Sequence, residues 1–274
     1  MKQKVWLITG VSKGLGREIA KQAAATGDIV IGTVRTATDK AAFEEELNAK
    51  AHIIDLVKTD QIATLTATII KEYGQIDILV NNAGYGAFGM IEEFNDNEVI
   101  NQFNVNVISL WKLCQTVLPH MREKGRGTIV QISSRVGLMA APGNGIYASS
   151  KFALEGMTEA LKQEAAPFGI KVLLAEPGAL RTDFFGASVQ YAQNELPAYT
   201  EKLGSIRTNT KNINGKQPGD PIKAAKAIIE AVTNDSPIFR LPLTSGTIDI
   251  MKAKIIELQN CITQTEEIAR SIDY

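Results

Sequence analysis

Tyr147 and Lys151 stand four residues apart in the run Tyr147-Ala148-Ser149-Ser150-Lys151. On a helix that spacing puts both side chains on one face. A free phenol titrates near about 10 and a free lysine near about 10.4. An ammonium held beside the phenol favours phenolate and lowers the tyrosine pKa. Such a pair is a general acid–base for an alcohol or a carbonyl oxygen. Alone it is a weak signal, because Tyr and Lys at this spacing also decorate solvated helices. Ser134 adds to it, since it follows the apolar run Gly127–Ile132 and its hydroxyl can hydrogen-bond a carbonyl oxygen. Taken singly, a serine there reads as a turn or cap residue.

A second group of residues suits phosphate. Val5-Trp6-Leu7-Ile8-Thr9 has strand length and composition, Gly10-Val11-Ser12-Lys13-Gly14-Leu15-Gly16 follows directly, and Arg17 to Ala25 reads as a helix. Strand, glycine loop and helix form the layout of a nucleotide-phosphate site. The glycines permit a sharp turn and let backbone N–H groups approach a pyrophosphate with no Cβ between them. The helix N-terminus adds partial positive charge.

These residues need a scaffold, and the rest of the chain supplies one. Strand-like runs recur at Ile29–Val34, His52–Asp55, Ile76–Val80, Gly127–Ile132, Ile170–Ala175 and Ile238–Leu241. Helical patterns lie between them, including Asp39–Leu47, the stripe Ile62, Leu65, Ile69 and Tyr73 ended by Gly74, and a long helix over Asp96–Glu123. Alternating strands and helices predict a doubly wound parallel sheet with helices on both faces. Continuous apolar runs predict strands buried on both sides. Nothing resembling a linker divides residues 1–274, so one domain is expected. Residues 182–221, rich in Gly, Pro and Asn, follow the sixth strand and are expected to act as a substrate lid at the strands' carboxyl ends.

Composition excludes several function classes. The 274 residues are 45% hydrophobic and 22% charged, with a net charge of −1. That balance offers no electrostatic case for nucleic acid or anionic membrane. No apolar stretch is long enough to span a bilayer, and the N-terminal run is too short for a signal peptide, so a cytoplasmic protein is expected. Cys114 and Cys261 both sit in apolar helical patterns and are expected to be buried free thiols. His52 and His120 lack partners at ligand spacing, so no metal site is expected. No G-x-S-x-G run supports a hydrolase.

The combination resembles the short-chain dehydrogenase/reductase family. Thr9-Gly10-Val11-Ser12-Lys13-Gly14-Leu15-Gly16 is similar to its T-G-x-x-x-G-x-G cofactor loop. Asn81-Asn82-Ala83-Gly84 resembles its N-N-A-G segment, and Ser134, thirteen residues before Tyr147, fits its S…Y-x-x-x-K signature. Asn106 matches its fourth catalytic position, and Pro177-Gly178 with Thr182 resembles its P-G-x-x-x-T element. The likeness runs from Val5 to Thr182. It implies a Rossmann fold of about seven strands and a nicotinamide dinucleotide across the strand ends, with pyrophosphate over Gly10 to Leu15. It also implies roles. Tyr147 would exchange a proton with the substrate oxygen, which Ser134 would hold. Lys151 would lower the tyrosine pKa and bind the nicotinamide ribose, and Asn106 would keep a water. Asp55 would meet the adenine edge, Asn82 and Ala83 would line the adenosine side, and Gly84 would allow close backbone approach.

At the end of the second strand the sequence reads Thr33-Val34-Arg35-Thr36, with no acid to accept from a ribose 2′-hydroxyl. Arg35 and Lys13 suit a 2′-phosphate instead, so NADP(H) is expected ahead of NAD(H). Tyr85, Phe88, Leu138, Met139, Leu180 and Phe184, with Phe185 beside them, make the expected substrate pocket apolar. The expected reaction interconverts a carbonyl and an alcohol on a small-to-medium, mostly apolar molecule. The alternatives are an NADP(H)-sensing binding protein on the same fold, and an isomerase or dehydratase that recycles its nicotinamide. Past the likeness, Ile248, Met251, Ile255, Leu258 and Ile262 make residues 245–274 an amphipathic helical extension. It would pack on its own body or on a partner. A homo-oligomer is expected, a dimer through the long helices beginning near Asp96 and Ile146 ahead of a tetramer.

Overall fold

The computed structural model describes residues 3–186, 188–234 and 238–274. Strand β1 (Val5–Ile8) leads through the glycine loop into α1 (Gly14–Ala25), followed by β2 (Ile29–Val34), α2 (Ala37–Leu47), β3 (Lys50–Ile53) and α3 (Thr59–Tyr73). Next come β4 (Ile78–Asn81), β5 (Gly86–Phe88), α4 (Asp96–Phe103), a π-helical turn (Asn104–Ile108), α5 (Ser109–Lys124) and β6 (Gly127–Ile132). The chain continues through α6 (Gly145–Ala165), β7 (Ile170–Glu176), β8 (Val189–Tyr191), α7 (Pro197–Leu203) and α8 (Ile206–Ile213). It closes with α9 (Pro221–Thr233), β9 (Arg240–Pro242) and α10 (Ser245–Arg270).

Seven strands run parallel in the order β3-β2-β1-β4-β6-β7-β9, the doubly wound sheet that the alternation predicts. The order reverses between β1 and β4, and in such sheets the carboxyl-end crevice at that point is where ligands bind. Alternate β1 residues divide the core. Trp6 and Ile8 face the side that packs α1 and α9, and Val5 and Leu7 face the side that packs α3, α5 and α6. Both faces of the strand are therefore apolar, which is why its sequence runs apolar without a break. On α1 the buried positions Leu15, Ile19, Ala20 and Ala23 form the inward stripe. Burying a side chain the size of Ile19 contributes roughly 2 kcal/mol. Gly74, left-handed at φ 77, ends α3 as its sequence predicts.

The third and seventh strands differ from the expected spans. The third covers Lys50–Ile53 rather than His52–Asp55, and Asp55 lies in the turn beyond it. It is an edge strand, and its register against β2, from Ile31 opposite Lys50 to Val34 opposite Ile53, fixes its ends in place of the apolar run. The seventh begins at Arg240, where pairing with Leu174 starts. The expected long helix runs from Asp96 to Lys124 and contains the π-helical turn at Asn104–Ile108.

Residues 182–221 hold more order than their composition suggests. They include β8, which pairs in parallel with β5 from Gly86 opposite Val189 to Phe88 opposite Tyr191. Cys114 is buried as expected, but Cys261 is exposed. The pattern around Cys261 is amphipathic, yet its helix projects from the body and covers nothing there. Among the described residues, no helix is long and apolar enough to cross a membrane.

Candidate active site

The loop after β1 is shaped by its glycines. Gly10 and Gly14 adopt left-handed φ values of 71° and 63°. A Cβ on Gly10 would lie 3.1 Å from the Ala83 Cα, and one on Gly16 would collide with the Asn82 amide and the Gly10 carbonyl. Asn82 donates to the carbonyls of Thr9 (2.9 Å) and Gly10 (3.1 Å), and the Thr9 hydroxyl accepts from the N–H groups of Asn82 (3.0 Å) and Ala83 (2.9 Å). The Asn82 amide is thus spent bracing the loop. Lys13, at the N-cap of α1, makes no side-chain capping bond, and the first turn carries no acid. The first-turn N–H groups are left for an anion, so this cradle fits a dinucleotide pyrophosphate. Ser12 lies on the same loop, while Leu15 turns into the core.

Around this loop stand the other expected cofactor residues. Arg35 is exposed just past β2 and has no hydrogen bond or ion pair among the described residues. Lys13 faces Asp183 at 3.8 Å. Asp55 is exposed and caps its own turn, accepting from the Val57 N–H at 3.2 Å. Gly84 sits where a Cβ would meet the Asn106 Oδ1 at 3.1 Å. The Pro177 carbonyl accepts from the Arg135 N–H at 3.0 Å. A Cβ on Gly178 would collide with the Thr244 hydroxyl. Thr182 begins the 182–221 segment, and its hydroxyl accepts from the Phe184 N–H at 3.3 Å.

Ser134, just past the carboxyl end of β6, and Tyr147 and Lys151, in the first two turns of α6, are all buried. Contrary to the lowering expected from Lys151, burial pushes the Tyr147 phenol up to about 12, with the Ser134 hydroxyl, in hydrogen-bond reach, pulling the other way. Burial pulls the Lys151 ammonium down to about 8, and the Glu155 charge opposes it. Lys151 Nζ donates to the Ile132 carbonyl at 2.7 Å. Asn106 occupies the π-helical turn, a feature common at functional sites. Its Nδ2 donates to the Tyr85 carbonyl (2.9 Å) and the Ser150 hydroxyl (3.1 Å), and its Oδ1 accepts from the Tyr85 N–H (3.2 Å).

Behind the site lies a charged cluster that the sequence reading missed. Ser133, beside Ser134, donates to Glu155, one helical turn after Lys151. Arg240 on β9 pairs with Glu155, Glu159 and the fully buried Glu176. Burial, helped by the neighbouring Glu155, pushes the Glu176 carboxyl up to about 7. The available signal was helical, with Tyr147, Lys151 and Glu155 recurring every four residues. The partner on β9 is 85 residues further on and gives no local hint.

The pocket residues divide. Phe88 and Phe184 flank the Tyr147 ring, with centroids 5.9 and 5.6 Å away, and Phe185 joins them at 5.7 and 5.4 Å. Tyr85, Leu138 and Met139 are partly buried nearby in sequence to these elements. Leu180 instead belongs to the core on the α1 face, bridged to Gly219. Among the described residues, no group of three or more His, Cys, Asp or Glu is placed to hold a metal.

A model of the short chain dehydrogenase family matches residues 4–192. The chain is 36% identical to a 3-ketodihydrosphingosine reductase of Bacteroides thetaiotaomicron, over 88% of this chain and 87% of that one. It is 32% identical to the oxidoreductase BOA17 of Botryotinia fuckeliana, over 87% and 88%. A crystal structure of a short-chain dehydrogenase from Streptomyces avermitilis superposes with a TM-score of 0.92 and 38% identity, covering 99% of both chains, α10 included. A metagenomic short-chain oxidoreductase in complex with NADP superposes with a TM-score of 0.70 at 25% identity, covering 88% of this chain and 97% of that one.

Proposed function

The chain is an NAD(P)-dependent enzyme of the short-chain dehydrogenase/reductase family, and on that premise we propose that it reduces apolar ketones or aldehydes with NADPH. The observation that carries the reading is the aromatic wall in which Phe88 and Phe184 pack against the Tyr147 ring and Phe185 backs them. It leaves the acid–base oxygen in an apolar surround, with Ser134 as its polar neighbour. A 3-keto substrate in a relative's name agrees with this.

When bound, the nicotinamide supplies or accepts the hydride. The Ser134 hydroxyl holds the carbonyl oxygen, and Tyr147 Oη gives it a proton. With its pKa near about 12, the phenol is protonated at neutral pH and ready to act as an acid. The Lys151 charge then stabilises the phenolate left behind. Asn106, fixed on three sides, keeps the β4–β5 loop against α6 and would hold the expected water. Arg35, exposed at the end of β2, would take the 2′-phosphate of NADP(H). Residues 182–221 would close over the substrate. The enzyme would work as a homo-oligomer in a reducing compartment, the cytoplasm, where the exposed thiol of Cys261 stays reduced. Ile100, Ile108, Trp111 and Phe152 offer an exposed apolar face on α4 to α6 for assembly.

The test is NADPH and NADH oxidation against a panel of ketones and aldehydes, with Tyr147→Phe alongside. NADPH-dependent turnover that falls by about 10²-fold or more in the variant supports the reading. Equal turnover in the variant overturns the role of Tyr147. Tight NADPH binding without turnover on any carbonyl moves the reading to a cofactor-sensing protein.

A further inference from the structure

From Ile255 to Tyr274 every residue of the C-terminal segment is exposed. Body contact ends in the first two turns of α10, where Thr247 is buried. The helix then continues to Arg270, about 24 Å with nothing packed on it. Ile255, Leu258, Ile262, Ile268 and Ile272 are 51 to 77% exposed. A bare helix of this length is marginal in water, and so contiguous an apolar stripe marks a contact surface.

The stripe has a seven-residue repeat. Ile248, Ile255, Ile262 and Ala269 form one series, and Met251, Leu258, Thr265 and Ile272 the other, which are the a and d positions of a heptad. Lys252, Gln259 and Glu266 flank one side of this seam, and Lys254, Cys261 and Ile268 the other. The flanking charge is basic toward the body and acidic toward the tip. In a parallel pair the flanks would set Lys254 against Gln259 and Cys261 against Glu266, with no opposite charges meeting. In an antiparallel pair centred on Gln259 and Cys261, Lys252 of each copy meets Glu266 of the other, twice. That register also matches the helical seam positions from Met251 against Ala269 to Ile262 against Leu258. Within its own helix Glu266 is paired to Arg270 at 2.7 Å, which leaves its second oxygen for Lys252.

We propose that α10 is a self-association element that pairs antiparallel with α10 of a second copy of this chain. The interface is separate from the apolar face on α4 to α6. Because α10 stands outside both cores, its surface can be changed without unfolding the catalytic body.

The experiment compares full-length protein with Leu258→Glu/Ile262→Glu by light scattering during size-exclusion chromatography, with NADPH-dependent turnover as the fold control. The expected result is a halved mass at unchanged turnover. A charge series follows: Lys252→Glu loosens the assembly and adding Glu266→Lys restores it. Oxidised glutathione should link the two copies through Cys261, giving a double-mass band that Cys261→Ser and the double variant both lack. A halved mass without that cross-link overturns the antiparallel register. An unchanged mass in the double variant overturns the proposal, whether the helix then folds onto its own body or the protein sediments with phosphatidylglycerol vesicles.

Discussion

In the proposed mechanism Lys151 is the residue whose charge the site depends on, and its environment sets the pH range over which that charge lasts. Burial brings the ammonium down to about 8 from its ordinary 10.5. In the proposed mechanism, carbonyl reduction needs both the Tyr147 proton and the Lys151 charge, and Lys151 gives up its proton first as pH rises. The reductive kcat/KM is therefore expected to fall as pH rises through about 8, although the phenol itself stays protonated to about 12. A pH–rate profile checks this. Lys151→Met should remove that limb and lower the rate about 10²-fold or more. Arg35 carries a second prediction. Arg35→Asp removes the cation proposed to face the 2′-phosphate and supplies an acceptor for a 2′-hydroxyl. NADPH affinity should drop roughly 10- to 100-fold relative to NADH, a loss of about 1.4 to 2.8 kcal/mol, read by fluorescence titration of both cofactors. Unchanged preference would show that Arg35 does not read the phosphate.

At the level of elements, what could be read from the sequence was what is local in the chain. Gly10, Gly14 and Gly16 lie within seven consecutive residues, and Tyr147 and Lys151 about one helical turn apart, so their spacing carries their geometry. The brace under the loop was half legible. Asn82 is expected to line the adenosine side, and its amide also holds the Thr9 and Gly10 carbonyls across 72 to 73 residues of chain. Gly16 is where α1 meets that brace. Gly16→Ala places a methyl group inside the contact distance of the Asn82 amide and the Gly10 carbonyl, so the loop must shift. Thermal unfolding should show a loss of about 1 to 3 kcal/mol, the usual cost of overpacking. Dinucleotide affinity should fall with it, while Gly156→Ala, in the middle of α6 with open space around its Cβ position, should leave affinity unchanged and raise stability by about 0.5 to 1 kcal/mol. The Glu155–Arg240 pairing and the core position of Leu180 were illegible for the opposite reason. Each is fixed by a partner on a distant element, Arg240 on β9 and Gly219 before α9, and no spacing within the chain announces either.

The whole molecule joins a rigid sheet to a segment that folds back over its carboxyl edge, and a short parallel pairing ties the two together. Gly86-Ala87-Phe88 and Val189-Gln190-Tyr191 are too brief and too far apart in the chain to be read as strands from sequence. Their pairing nevertheless places Phe184 and Phe185 beside Phe88 and Tyr147. The segment is held further by the Ala192 N–H bond to the Phe88 carbonyl at 3.0 Å and by Tyr191 against Thr210 at 2.6 Å. If residues 182–221 act as a lid, this pairing is its root, and the glycine loop meets the segment at its first residues, through Lys13 and Asp183. Ala192→Pro removes the donating N–H and puts a ring into a buried position. It should speed proteolytic cleavage between residues 188 and 220 and raise KM for the best apolar ketone about tenfold, while NADPH affinity stays within about twofold. Steady-state kinetics with limited proteolysis separate the outcomes. A fall in NADPH affinity equal to the rise in KM would mean that the segment supports the cofactor site as a whole, and a lid confined to the substrate would be ruled out.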